Sequence, residues 1–173
     1  TYQAKNAAVA ITALELLRQK GWTISDQNLK DALLTVRWPA RFELLRRNPV
    51  FVADGGHNPQ GISAVAESLM EHFPNRKITF LIGVMADKDI PQMIDVLAPL
   101  AKEFITVTPN NPRALHADVL AAMLTERGFE AISRDDVPEG VRVAIERAGS
   151  DGIVCALGSL YMLGDVRAAL GVK

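Results

Sequence analysis

Cysteine is nearly absent: Cys155 stands alone among 173 residues. A single thiol makes neither an internal disulfide nor a cysteine zinc site. It lies in the apolar run Ile153-Val154-Cys155-Ala156-Leu157. A nucleophilic thiol needs an electropositive, accessible setting, so Cys155 reads as a buried, inert side chain. A reducing, cytoplasmic compartment is the matching expectation. Excess charge is absent as well. Lys+Arg is 19 and Asp+Glu is 20, a formal net charge of −1. That balance gives the molecule as a whole no pull toward nucleic acid or anionic lipid, and neither partner is expected. No hydrophobic run is long enough to span a bilayer: the uncharged stretch from Gly152 to Gly164 is too short and is broken by glycine. No signal peptide is read at the start. Thr1-Tyr2-Gln3 does not look like a natural opening, so the chain is expected to be a fragment.

Several catalytic signatures are missing too. There is no G-x-G-x-x-G, which leaves a standard dinucleotide site unsupported. There is no G-x-x-x-x-G-K-[ST] phosphate loop and no G-x-S-x-G nucleophile elbow. Three histidines without paired spacing give no zinc signature, and no metal ligands are expected within the chain.

What is present is an ordinary globular composition, 49% hydrophobic and 23% charged, which excludes a disordered or low-complexity chain. The length suits one α/β domain and little more. Ala7, Ala10, Ile11, Leu14 and Leu17 follow a helical period that stops at Gly21. Ser25 or Asp26 caps a second helix reaching about Leu34. Trp38-Pro39 breaks the pattern and marks a boundary between residues 1–38 and 39–173.

Beyond it, strands and helices alternate. Phe42 to Leu45 and Val50 to Ala53 read as a hairpin. Ile78 to Val84, Phe104 to Val107, Ala131 to Ser133 and Ile153 to Leu157 read as further strands. Gln60 to Phe73, Pro91 to Leu100, His116 to Arg127, Glu139 to Ala148 and Leu160 to Leu170 read as the helices between and after them. This order predicts an α/β fold: a Rossmann-like, mostly parallel sheet with helices on both faces, preceded by two helices.

Ligands of such a sheet sit beyond the carboxyl ends of its strands. Asp54-Gly55-Gly56-His57-Asn58-Pro59 occupies such a place. Its glycines allow close backbone approach, and the exposed amides of the following helix favour an anion. Asp54 suits a sugar hydroxyl and His57 a phosphate or a proton transfer, while Asp54 and Asn58 serve equally well as helix caps. In Trp38-Pro39-Ala40-Arg41-Phe42, Arg41 is either a phosphate clamp or a solvated charge. Gly83 to Asp89 is a strand exit, with Lys88 among mixed charges. Thr108-Pro109-Asn110-Asn111-Pro112-Arg113-Ala114-Leu115 is a proline-fixed loop that either aims Arg113 at a carboxylate or is simply a rigid turn. In Gly158-Ser159-Leu160-Tyr161, Ser159 starts a helix, as a ligand or as its cap.

Taken in order, these segments resemble the C-terminal part of the folylpolyglutamate synthases, including bifunctional forms that are also dihydrofolate synthases, within the Mur ligase superfamily. The resemblance rests on W-P-G-R-F (Ala40 replacing glycine), D-G-A-H-N-P (Gly56 replacing alanine), T-P-x-N-P-R-A-L, A-D-K-D, G-S-L-Y and G-[DE]-V-R, the last met by Gly164 to Arg167. Tyr2-Gln3 with Asn6 and Ala7 resembles the end of the family's ATPase domain. The resemblance implies that residues 1–38 are the last helices of that domain and that 39–173 are the small C-terminal domain. It implies an ATP- and magnesium-dependent ligase that adds L-glutamate to folate or dihydropteroate through an acyl phosphate. It further implies Arg41 on ATP phosphates, Asp54 on the ribose, Asn58 orienting the loop, and a catalytic place for His57 near the phosphates or the glutamate. Ser159, Arg113 and Lys88 would bind glutamate. The phosphate loop and magnesium ligands of the family lie in the ATPase domain, so the chain alone is expected to be inactive. Rival readings are a cell-wall Mur ligase domain and a non-catalytic nucleotide-binding module. The first helices are expected to expose an apolar face, with some of Ile11, Leu14 and Leu17 packing on a neighbouring copy or on the C-terminal domain.

Overall fold

The structure, a computed structural model, describes residues 2–36 and 38–172. It divides into two compact units, residues 1–39 and 40–173.

The first unit holds α1 (Tyr2–Gln19) and α2 (Asp26–Thr35). Gly21, at φ +91°, ends the α1 region in a conformation that side-chain-bearing residues avoid. Ser25 caps α2 by accepting the Asn28 N–H at 3.0 Å. Arg18 bridges Glu15 and Asp26 at 2.7 and 2.9 Å. Among the described residues of this unit before Val36, none is fully buried. Ile11, Leu14 and Leu17 are half-buried, whereas Val9, Leu16, Trp22, Leu34 and Val36 are exposed. Among the described residues, these two helices bury no side chain. Helices in proteins draw most of their stability from packing, so such a unit calls for an external surface to cover it.

The second unit carries a six-stranded sheet in the order β1-β2-β6-β3-β4-β5. The strands are β1 (Glu43–Arg47), β2 (Val50–Ala53), β3 (Ile78–Ile82), β4 (Ala101–Val107), β5 (Ala131–Arg134) and β6 (Ile153–Leu157). Only β1 runs antiparallel, as the outer arm of a hairpin with β2. The helices are α3 (Pro59–His72), α4 (Ile90–Leu97), α5 (Ala117–Glu126), α6 (Val137–Ala148) and α7 (Leu160–Ala169). One core joins α3, α4 and α5 to Ile153, Cys155 and Leu157 of β6. The other joins α6 and α7 to Val154 and Ala156 of the same strand. The period of two along β6 thus feeds both faces, and every residue of it is buried. The α/β fold read from the sequence is the fold observed.

Three of the boundaries that differ from the sequence expectation have a clear local reason. Phe42 sits at φ +48°, which no strand tolerates, so β1 begins at Glu43. The fourth strand begins at Ala101 rather than Phe104 because Glu103 is buried and paired with Arg147. The sixth helix begins at Val137, where Asp136 caps it by accepting the Glu139 N–H at 2.7 Å and Pro138 fits the first turn.

The chain returns from β5 through α6 to the middle of the sheet, so β6 lies between β2 and β3. The loops leaving β2, β6 and β3 therefore converge. The Asp54 N–H donates to Ala156 at 2.9 Å, and the Gly158 N–H to Gly56 at 2.8 Å. Gly158 has φ +102°, and a Cβ there would come within 2.6 Å of the Gly83 carbonyl oxygen. Only glycine fits that crossing.

Candidate functional site

The turn that carries Arg41 is held in an unusual shape. Ala40 (φ 60°) and Phe42 (φ 48°) both occupy the left-handed region on either side of Arg41. A side-chain-bearing residue there costs about 1–2 kcal/mol and persists only where its surroundings fix it. Here they do. The Ala40 N–H donates to Glu43 Oε2 at 2.8 Å, and the Phe42 N–H to Asp54 Oδ2 at 2.7 Å. The Ala40 carbonyl accepts the Gly55 N–H at 2.8 Å. The Phe42 ring lies 5.2 Å from the His72 ring of α3. Arg41 itself is exposed.

Asp54 is 1% exposed, and its second oxygen accepts the Gly56 N–H at 2.7 Å. One carboxylate thus ties the Arg41 turn to the Asp54–Pro59 loop. His57 Nδ1 lies 2.7 Å from the Gly55 carbonyl. A carbonyl only accepts, so Nδ1 carries the proton and Nε2 is the nitrogen left to meet a ligand. Asn58 caps α3 by accepting the Gly61 N–H at 2.8 Å, worth about 1 kcal/mol.

Between these loops lies a cleft of about 430 Å³, lined by His57, Met85, Lys88, Arg113, Gly158, Ser159, Leu160 and Tyr161. The β3 and β4 exits brace each other on one side. The Leu115 N–H reaches the Val84 carbonyl and the Ala86 N–H the Arg113 carbonyl, both at 2.9 Å. Asp87 Oδ2 lies 3.7 Å from Lys88 Nζ and 3.6 Å from Arg113 Nη1, loose contacts that leave both cations able to meet an anion. On the other side, Ser159 caps α7 by accepting the Tyr161 N–H at 3.2 Å. Its hydroxyl proton remains to donate. The cleft thus combines two cations, an imidazole and a hydroxyl, the donor set of a carboxylate or phosphate site.

The sequence-expected residues fall into two groups. His57, Lys88, Arg113 and Ser159 come together in the cleft wall. Arg41, Asp54 and Asn58 do not line it: Arg41 is exposed on its turn, while Asp54 and Asn58 build the loops beside it. Sequence reading assigned no role to Met85, Leu160 or Tyr161, although Tyr161 stood in the quoted G-S-L-Y. A second, larger hollow of about 650 Å³ follows β4 and β5. Asp135, Asp136 and Asp165 line it, so its charge is wrong for an anion. Among the described residues no three His, Cys, Asp or Glu side chains are grouped to hold a metal, and no helix is long and apolar enough to cross a membrane.

Two further carboxylates carry shifted protonation. Burial alone would raise Glu43. The hydrogen bond from Arg167, the Ala40 N–H and the Arg167 charge outweigh it, and the carboxyl titrates below its ordinary range. Glu103 follows the same logic: burial opposes ionisation, while Arg147, Thr79 and Lys102 prevail. Burial, with a contribution from the Asp54 charge, pushes the Cys155 thiol well up, which keeps it unreactive.

Residues 40–160 match the family described as Mur ligase, glutamate ligase domain. The chain is 34% identical to folylpolyglutamate synthase of Lacticaseibacillus casei, covering 98% of this chain and 38% of that protein. It is 31% identical to the dihydrofolate synthase/folylpolyglutamate synthase of Bacillus subtilis, covering 98% and 39%. Among solved structures, Mycobacterium tuberculosis folylpolyglutamate synthase complexed with ADP and AMPPCP superposes with a TM-score of 0.86 at 27% identity, over 100% of this chain and 41% of that one. The bifunctional Yersinia pestis enzyme complexed with AMPPNP and Mn ion gives a TM-score of 0.78 at 27% identity, over 93% of this chain and 38% of that one. The chain spans about two fifths of the length of these relatives. With the fold, the converging loops and the match over most of its length in agreement, the chain belongs to the Mur ligase family of glutamate ligase domains.

Proposed function

We propose that the chain is the C-terminal part of an ATP-dependent ligase that joins L-glutamate to a folate, to dihydropteroate, or to both. One observation carries this reading: His57, Lys88, Arg113 and Ser159 arrive from four separate loops to line one cleft in a glutamate ligase domain. An amino acid with two carboxylates matches two cations and a hydroxyl far better than it matches the acidic hollow nearby.

The reaction follows from the family chemistry. A carboxylate oxygen of the folate attacks the γ-phosphorus of ATP, forming an acyl phosphate and ADP. The glutamate amine then attacks the acyl carbon, an amide bond forms, and inorganic phosphate leaves with the C–O electron pair. Within this chain, Arg41 offers its guanidinium to the ATP phosphates, where a bidentate donor suits the phosphate oxygens. Asp54 holds the Arg41 turn and meets the ribose at its carboxylate edge. Asn58 orients the loop between them. His57, with Nδ1 fixed, presents Nε2 toward the phosphate or the incoming amine. Ser159, Arg113 and Lys88 hold the glutamate carboxylates. A magnesium ion, held by ligands in the remainder of the enzyme, would supply charge neutralisation at the transferring phosphoryl group.

That remainder is the ATPase domain, and residues 1–38 are its last helices. The first unit, in which none of the described side chains is buried and Trp22 and Leu34 are exposed, fits a piece separated from the surface that covers it. Closure of the two domains assembles the site in a cytoplasmic enzyme. The chain alone is therefore inactive and binds ATP weakly. The test is ADP release in the presence of ATP, a folate and L-glutamate. The full-length enzyme should turn over and the 173-residue chain should stay at background. Turnover by the chain alone would overturn the proposal.

A further inference from the structure

We propose that Glu43 and Arg167 are positioning residues for Arg41, holding the turn that aims it at the nucleotide. The inference rests on the reading of Arg41 as the phosphate contact.

Arg41 is exposed, and its two neighbours sit at φ 60° and φ 48°. What fixes the turn is a carboxylate on each side. Asp54 takes the Phe42 N–H at 2.7 Å, from the rigid end of β2. Glu43 takes the Ala40 N–H at 2.8 Å, with a longer side chain that has more rotamers to lose. Arg167 removes that freedom. Its Nη1 donates to Glu43 Oε1, so the other carboxylate oxygen is left pointing at Ala40. The pair is partly sheltered, with side-chain exposures of 18% for Arg167 and 28% for Glu43. Shelter and shared hydrogen bonds distinguish it from a solvated surface pair.

Arg167 closes Gly164-Asp165-Val166-Arg167, the one quoted motif without an assigned role. It stands two turns along the helix that Ser159 starts, and Ser159 lines the cleft. One helix therefore sets the hydroxyl on the glutamate side and steadies the turn on the nucleotide side. A cation in the last turn of a helix also favours the helix dipole, and that purely structural role is the rival explanation.

A double-mutant cycle in the full-length enzyme separates the two. Arg167→Met should raise the KM for ATP about tenfold and leave the KM for glutamate within about twofold. In an Arg41→Ala background the same substitution should add less than about twofold, because the residue it aims is gone. Glu43→Gln, a milder change, should raise the ATP KM about threefold and decides the matter if Arg167→Met does not fold. Equal effects in the two backgrounds, or an unchanged ATP KM, would overturn the positioning role. A wild-type enzyme that fails to join glutamate to a folate would instead bring down the functional reading beneath it.

Discussion

Two of the carboxylate–arginine pairs in the second unit sit at opposite ends of its sheet. Glu103 lies near the start of β4, 1% exposed, bound to Arg147 Nε at 2.6 Å and to the Thr79 hydroxyl at 3.0 Å. Glu43 lies opposite Ala53, at the carboxyl end of β2, bound to Arg167 and to the Ala40 N–H. The chemistry is the same, and both carboxyls titrate below their ordinary range. The surroundings differ. Everything Glu103 touches is framework: strand, helix end and strand. Glu43 touches a turn in a costly conformation with an arginine at its tip. A parallel α/β sheet keeps its chemistry at one edge, and the two pairs show how one device is structural at the amino end and preparatory at the carboxyl end.

The largest expected effect comes from the residue at the tip. Arg41→Ala in the full-length enzyme should lower kcat/KM for ATP by roughly a hundredfold, the scale of a lost charge-stabilising donor, with the thermal midpoint unchanged. Steady-state kinetics beside calorimetry checks both halves. The contrast between the pairs is sharpened next. Glu103→Ala should cost about 2–3 kcal/mol of stability by urea unfolding, since it removes charged hydrogen bonds from a buried site. Glu43→Ala should cost about 1 kcal/mol but impair ATP use more. Equal stability losses with no kinetic difference would erase the distinction.

The sign of the pH dependence follows from the lowered carboxyls. A carboxyl with a depressed folded pKa stabilises fully above its ordinary value of 4.5, and that stability is lost as pH falls through the lower folded value. Unfolding between pH 7 and pH 3 should lose less stability in Glu103→Gln than in wild type, and an equal loss would contradict the pairing. The smallest effect is at Ala40. Ala40→Gly relieves a left-handed alanine at some cost in unfolded-state entropy, a net gain of about 0.5–1 kcal/mol. A loss of stability on that substitution would mean that the turn has another shape.

The same contrast shows which features sequence reading reaches. Apolar runs such as Phe80 to Ile82 and helical stripes such as Met93, Ile94 and Leu97 announce their elements, because burial writes its period into the chain. Glu103 hid the start of β4 because a charge argues against a buried strand until its partner is known, and Arg147 lies 44 positions away. At the site, loop motifs brought His57, Lys88, Arg113 and Ser159 forward, each at a strand exit or a helix start. The clasp beneath Arg41 stayed hidden because Glu43 and Arg167 are 124 positions apart, and no local pattern joins them. Asp54 showed itself as a motif residue, while its grip on the Phe42 N–H appears only in three dimensions.

The assignment of the cleft to glutamate is tested most directly by the KM for L-glutamate in the full-length enzyme carrying Lys88→Ala and Arg113→Ala together. Removing both cations from the cleft wall should raise that constant at least about tenfold, the scale of a lost charged hydrogen bond, and leave the KM for ATP within about twofold. An unchanged glutamate KM, or a rise confined to ATP, would contradict the account.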